Sequence, residues 1–188
     1  YADSTRKEFT TTYYMRIHRR IPGNRFARKI HETLIAYSPI VQLPTLVHHS
    51  GYQKEVFREK QLRNRPLLEQ EPGPMTPRRL RELSDTYAFD IPWEADRKKE
   101  LLYQAIEMES QDQSLGMYPS VYTSLANLCL ALKEYAEAER IAKQYLNGRA
   151  GKPPLMSDME INYILGLSLH NQDAFSRAVA PLEQYQAL

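Results

Sequence analysis

Residues 121–146 read VYTSLANLCLALKEYAEAERIAKQYL, and their spacing decides the fold. Val121, Leu125, Leu128 and Leu132 fall at intervals of 4, 3 and 4, which is one face of an α-helix. Ala138, Ile141, Ala142 and Tyr145 form a second such face a few residues on. Leu165 and Leu169, then Ala178 and Leu182, repeat the pattern downstream. Gly and Pro between Asn147 and Pro154 mark the loop between the two helix pairs.

The pairs are self-similar. Leu125-Ala126 matches Leu165-Gly166, Tyr135 matches Phe175, and Ala138 matches Ala178, all at an offset of 40 residues. A weaker copy precedes them: Leu83-Ser84 and Trp93 match Leu125-Ala126 and Tyr135 at an offset of 42. That copy has Asp96 where the others have alanine. The pattern resembles the tetratricopeptide repeat, in which a small residue on the first helix lets its partner approach and an aromatic opens the second helix. Trp93, Tyr135, Phe175 and Cys129 are therefore expected in the core of the repeats.

Upstream, Thr76-Pro77 reads as a helix N-cap followed by proline at the first helical position. Glu71-Pro72-Gly73-Pro74 breaks any helix before it. From Gln53 to Glu71, Val56, Leu62, Leu67 and Leu68 sit among Lys, Arg and Glu, as in a polar, mostly exposed helix. Residues 13–21 and 40–50, rich in β-branched and aromatic side chains, read as short strands. Pro22-Gly23-Asn24 reads as a turn. Three segments result: 1–52, a connecting helix and linker over 53–75, and helical repeats over 76–188.

Of the 188 residues 26% are charged and 42% hydrophobic, which suits a globular chain rather than a disordered one. No apolar run reaches the roughly 18 residues of a membrane span. The single cysteine, Cys129, forms no internal disulfide, and a cytoplasmic location is expected. The net charge of +2 hides an asymmetry: residues 1–65 hold 13 Lys/Arg against 5 Asp/Glu, and the remainder is acidic. Two modules with different roles are implied.

The reactive side chains gather between Arg16 and Tyr52. Six Arg/Lys, Arg19 and Arg25 among them, lie between Arg16 and Lys29 and could neutralise a diphosphate. Glu32 follows His31, and a carboxylate near cations stays ionised and can act as a general base. His48 and His49 precede a Gly-Tyr turn, where imidazole can ligate a metal or donate to a phosphate. Each feature also suits an ordinary solvated surface.

Their order narrows the choice. Arg16-Ile17-His18-Arg19, Pro22-Gly23, Phe26, Ile30-His31-Glu32-x-Leu34 and His49-x-Gly51-Tyr52 are followed by Arg63-Asn64-Arg65-x-Leu67-Leu68-Glu69 on a charged helix, then by helical repeats. This resembles the C-terminal portion of a bacterial family 2 glycosyltransferase fused to tetratricopeptide repeats. The family often has glycine two residues before the Ile-His-Glu triplet, where this chain has Arg28.

The resemblance implies a mainly α chain: a tetratricopeptide-like array preceded by a small α/β remnant of a GT-A domain. It implies transfer of a sugar from a nucleotide-sugar donor, with a divalent metal, Mg or Mn. The donor-binding half and its Asp-x-Asp motif are expected upstream of Tyr1. Glu32 would be the general base, and His31 would orient it or touch the donor. Arg19 and Arg25 would contact the donor, and His49 the metal or the diphosphate.

In stacked helix pairs the first helices line a groove for peptides. Tyr122, Asn127 and Asn162 are the expected contacts for a protein partner, which could be the acceptor. So short an array is expected to lean on the catalytic domain or on a second copy of itself, as a homodimer. The alternative is a non-enzymatic tetratricopeptide scaffold with a basic extension. A nucleic-acid binder is least supported, since the patch matches no nucleic-acid motif and the remainder is acidic.

Overall fold

The computed structural model describes residues 25–28, 33–35, 54–112 and 118–187. The chain divides into two compact units, residues 1–73 and 74–188. It is mainly helical, with seven helices and one two-stranded sheet among the described residues.

In the first unit, β1 (Arg25–Ala27) pairs antiparallel with β2 (Thr33–Ile35), with Phe26 opposite Leu34. The strands expected at 13–21 and 40–50 and the turn at residues 22–24 lie outside the described residues. Arg28 follows β1 with φ of 72°, the left-handed region that favours glycine. Helix α1 (Lys54–Glu69) carries Pro66 inside it and exposes Phe57 and Leu62. Arg28 reaches the chain just beyond α1: its Nε and Nη2 donate to the two Glu71 carboxylate oxygens at 3.1 and 3.3 Å. This fork-to-fork ion pair is mostly withdrawn from water.

The second unit holds α2 (Pro77–Ser84), α3 (Pro92–Gln111), α4 (Pro119–Ala131), α5 (Tyr135–Arg149), α6 (Met156–His170) and α7 (Phe175–Ala187). Three of them open on proline, where a missing N–H costs nothing. Thr76 caps α2, its Oγ1 accepting from the Arg79 N–H at 3.2 Å.

The α4–α5 and α6–α7 turns are built alike. Lys133 and Asp173, 40 residues apart, both take the left-handed conformation, with φ of 62° and 58°. Glu134 N–H donates to the Cys129 carbonyl at 2.8 Å, and Ala174 N–H to the Leu169 carbonyl at 3.0 Å. Both are Schellman closures, so the 40-residue offset is a repeat of backbone geometry as well as of residue type.

Each helix packs on its neighbour in sequence from α2 to α7, and α4 also touches both α2 and α6. The core is Leu101, Leu102, Ala105, Val121, Leu125, Ala126, Ile141, Ala142, Ile161 and Ile164, all within 1% of full burial. Cys129 is buried with them.

Two expectations need correction. Trp93 and Phe175 are 60% and 54% exposed. As residues that open second helices they fold back over the turn, Trp93 edge-on to Tyr87 and Phe175 edge-on to His170, and leave one face in water. The first pair also shifts register by one residue. Ala95, 3% exposed, takes the small-residue position, and Asp96 is exposed. The α2–α3 connection runs over residues 85–91, longer than the three residues 132–134, and this moves the register.

Candidate functional site

Contacts of α4 with α2 and with α6 set the first helices of the three pairs side by side. Exposed residues on this wall are the candidates for a partner. Asn127 of α4 is exposed, and its amide donates to Glu160 of α6 at 2.6 Å. The pair spans the seam between successive first helices and leaves the Asn127 carbonyl oxygen and one Glu160 oxygen for a ligand.

Tyr122 and Asn162 are placed differently. Tyr122 is 4% exposed and packs on Tyr145, ring centroids 5.6 Å apart. Burial, with the Glu109 carboxylate beside it, pushes its hydroxyl up to about 12. Its ring serves packing. Asn162 is equally buried. Its amide donates to the Asp158 carbonyl at 2.8 Å, but its Oδ1 has no hydrogen-bond partner. A buried unpaired acceptor costs on the order of 1–3 kcal/mol.

A polar cluster that the sequence reading did not anticipate lies where α3 meets the α4–α5 turn. Lys99 pairs with Glu134, and the Tyr103 hydroxyl donates to Glu137, which also accepts from Arg140 at 2.7 and 2.9 Å. The Arg140 guanidinium, helped by Tyr103, holds the Glu137 carboxyl down at about 2. An open cleft of about 570 Å³ adjoins this cluster, lined by Lys99, Lys133, Glu134, Tyr135, Ala136, Glu137 and Gln172. Lys99 and Glu134, and Glu137 and Arg140, satisfy one another there. Position could have flagged it, since Glu134 and Glu137 begin a helix whose first turn favours acids.

Among the residues expected to carry chemistry, Arg25 lies on β1. His31, Glu32, Arg19 and His49 lie outside the described residues. Among the described residues no cluster of three or more His, Cys, Asp or Glu side chains is placed to hold a metal, and no helix is long and apolar enough to cross a membrane.

No protein-family model, no curated protein and no solved structure matches this chain.

Proposed function

We propose that the chain is the C-terminal part of a family 2 glycosyltransferase of GT-A type, whose tetratricopeptide-like repeats recruit an acceptor protein. The observation that carries the reading is the backbone at Arg28. It takes a left-handed φ of 72° two residues before Ile30-His31-Glu32, where the family often has glycine. A glycine-type conformation at that position supports the resemblance despite the arginine. The 40-residue repeat of backbone closure supports the tetratricopeptide-like part.

In this reading Glu32 takes the proton of the acceptor hydroxyl as that oxygen attacks the anomeric carbon. His31 orients Glu32. Arg19 and Arg25 offset the charge of the departing diphosphate. A divalent metal, with His49 as one ligand, would supply further charge to the diphosphate; the chain contains no Asp-x-Asp to complete its site. In the full-length enzyme, Glu32→Gln lowers turnover by orders of magnitude with the fold intact. Near wild-type turnover in that variant rejects the assignment.

A second reading rests on the helical unit. Within that unit each helix from α2 to α7 packs on its neighbour in a stack, which suits a non-enzymatic interaction scaffold. Nucleotide-sugar turnover by the full-length protein separates the two.

A further inference from the structure

Arg28 and Glu71 each break a local preference, and they meet. Arg28, the first residue after β1, holds a left-handed φ of 72° that side chains disfavour and glycine accepts. Glu71 sits just past the carbonyl end of α1, its N–H donating to the Leu68 carbonyl at 3.3 Å. Acids are disfavoured there, and the last turn of α1 has no basic residue to offset this one. The Arg28 guanidinium does so from 43 residues away. Glycine at position 28 would relieve the backbone but take this guanidinium from Glu71.

The pair is forked, Nε to Oε1 at 3.1 Å and Nη2 to Oε2 at 3.3 Å. Two parallel bonds fix the orientation of both planar groups as well as their separation. Departures from local preference gather where function needs them.

Position says what the pair holds. β1 ends at Ala27, β2 begins at Thr33, and these two residues are opposite in register. Residues 28–32, His31 and Glu32 among them, are therefore the connection between the strands. One end of that connection is pinned at Arg28 to the end of α1, inside the first unit. A two-stranded hairpin is marginal by itself, so strands of three residues gain from an anchor outside the ladder.

We propose that Glu71 is a positioning residue: through Arg28 it fixes the connection that carries His31 and Glu32 and so aims the base at the acceptor hydroxyl, a role that rests on the glycosyltransferase reading. Misplacing a reacting group by about 1 Å can cost about 100-fold in rate.

Hydrogen exchange on the 188-residue chain reads the anchor without any substrate. Glu71→Gln keeps the side-chain shape and removes the charge. It should speed exchange over residues 25–35 several-fold and leave α4–α7 unchanged. Arg28→Gly relaxes the backbone but removes the guanidinium, and should match Glu71→Gln rather than wild type. Glu69→Gln, at an exposed carboxylate of the same helix end, should leave exchange unchanged. In the full-length enzyme, Glu71→Gln should lower kcat about tenfold or more with little change in KM for the nucleotide sugar. In the Glu32→Gln background it should have no further effect, because Glu71 acts through Glu32. Circular dichroism confirms that each variant folds. Unchanged exchange over residues 25–35, wild-type kcat in Glu71→Gln, or a further loss in the Glu32→Gln background each overturns the positioning role. With Glu32→Gln inactive, those results leave the base assignment standing. Wild-type turnover in Glu32→Gln rejects the base assignment and the positioning role with it.

Discussion

The Tyr145 hydroxyl donates to Asp158 Oδ1 at 2.7 Å, tying α5 to the first turn of α6. Arg149 binds the same carboxylate through Nε at 3.3 Å and Nη2 at 3.2 Å, and Asp158 Oδ2 accepts from the Leu155 N–H at 2.8 Å. One carboxylate thus fastens two helix pairs and caps a helix. Burial opposes its ionisation, but Arg149, Tyr145 and the Leu155 N–H outweigh burial and hold its pKa below the ordinary value.

Tyr145→Phe keeps the ring packed against Tyr122 and removes only the hydroxyl. A hydrogen bond to a charged acceptor contributes about 1.5–3 kcal/mol. Urea unfolding should show a loss of about that size with an unchanged m-value. Asp158→Asn should cost at least as much, because it also weakens the cap and the Arg149 pair. A Tyr145→Phe variant as stable as wild type refutes the role given to this contact.

Gly166 of α6 lies close against Leu182 of α7. A Cβ there would meet Leu182 Cγ and Cδ2 at 2.5 Å. Gly166→Ala gains about 1 kcal/mol of helix propensity but overpacks α6 against α7 at a cost of about 1–3 kcal/mol. The net expectation is a destabilised protein. In the Leu182→Ala background the clash is gone, and the same substitution should be neutral or stabilising. A thermal-melt double-mutant cycle measures the coupling, and additive effects would contradict the packing account.

The α4–α7 hairpins were legible in the sequence because apolar spacing, small residues and turn glycines and prolines all agree there. The first pair was less so. Asp96 aligned with Ala138 by counting, yet Ala95 fills that position, since a longer connection shifts register without changing composition. Strands of three residues, RFA and TLI, are too short for alternation to reveal them. Burial of Tyr122 and Asn162 comes from packing between helices, Tyr122 against Tyr145 of α5, which no single-helix pattern encodes. Of the residues expected to carry chemistry, Arg25 alone is described, and the reading of Glu32 still rests on its motif.

Two carboxylates should bend the acid limb of stability in opposite directions. Glu137 is held at about 2 by Arg140, below the ordinary value near 4.3. Its contribution is complete above the ordinary value and is lost as pH falls towards 2. Glu137→Gln should flatten melting temperature against pH in that window. Glu109, which accepts from the Tyr118 N–H at 2.8 Å, has its pKa raised by burial. Its ionisation costs stability as pH climbs above the ordinary carboxylate value. Glu109→Gln should therefore gain stability at neutral pH relative to acid pH. The reverse pattern for either variant contradicts the geometry.

Cys129 gives a probe of opening in the second unit. It is fully buried, and burial pushes its thiol up to about 12, with Lys99 only partly opposing and Glu134 and Glu137 adding to the shift. Nucleophilic attack needs the thiolate, so both access and ionisation suppress reaction in the native state. An aromatic disulfide reagent at neutral pH should label the folded chain orders of magnitude more slowly than the urea-unfolded chain. Because α3, α4 and α5 must part to expose the thiol, Tyr145→Phe should speed labelling by the factor that its loss of stability predicts, if the unit opens as a whole. Fast native labelling, comparable to the unfolded chain, would contradict the burial of Cys129 between these helices.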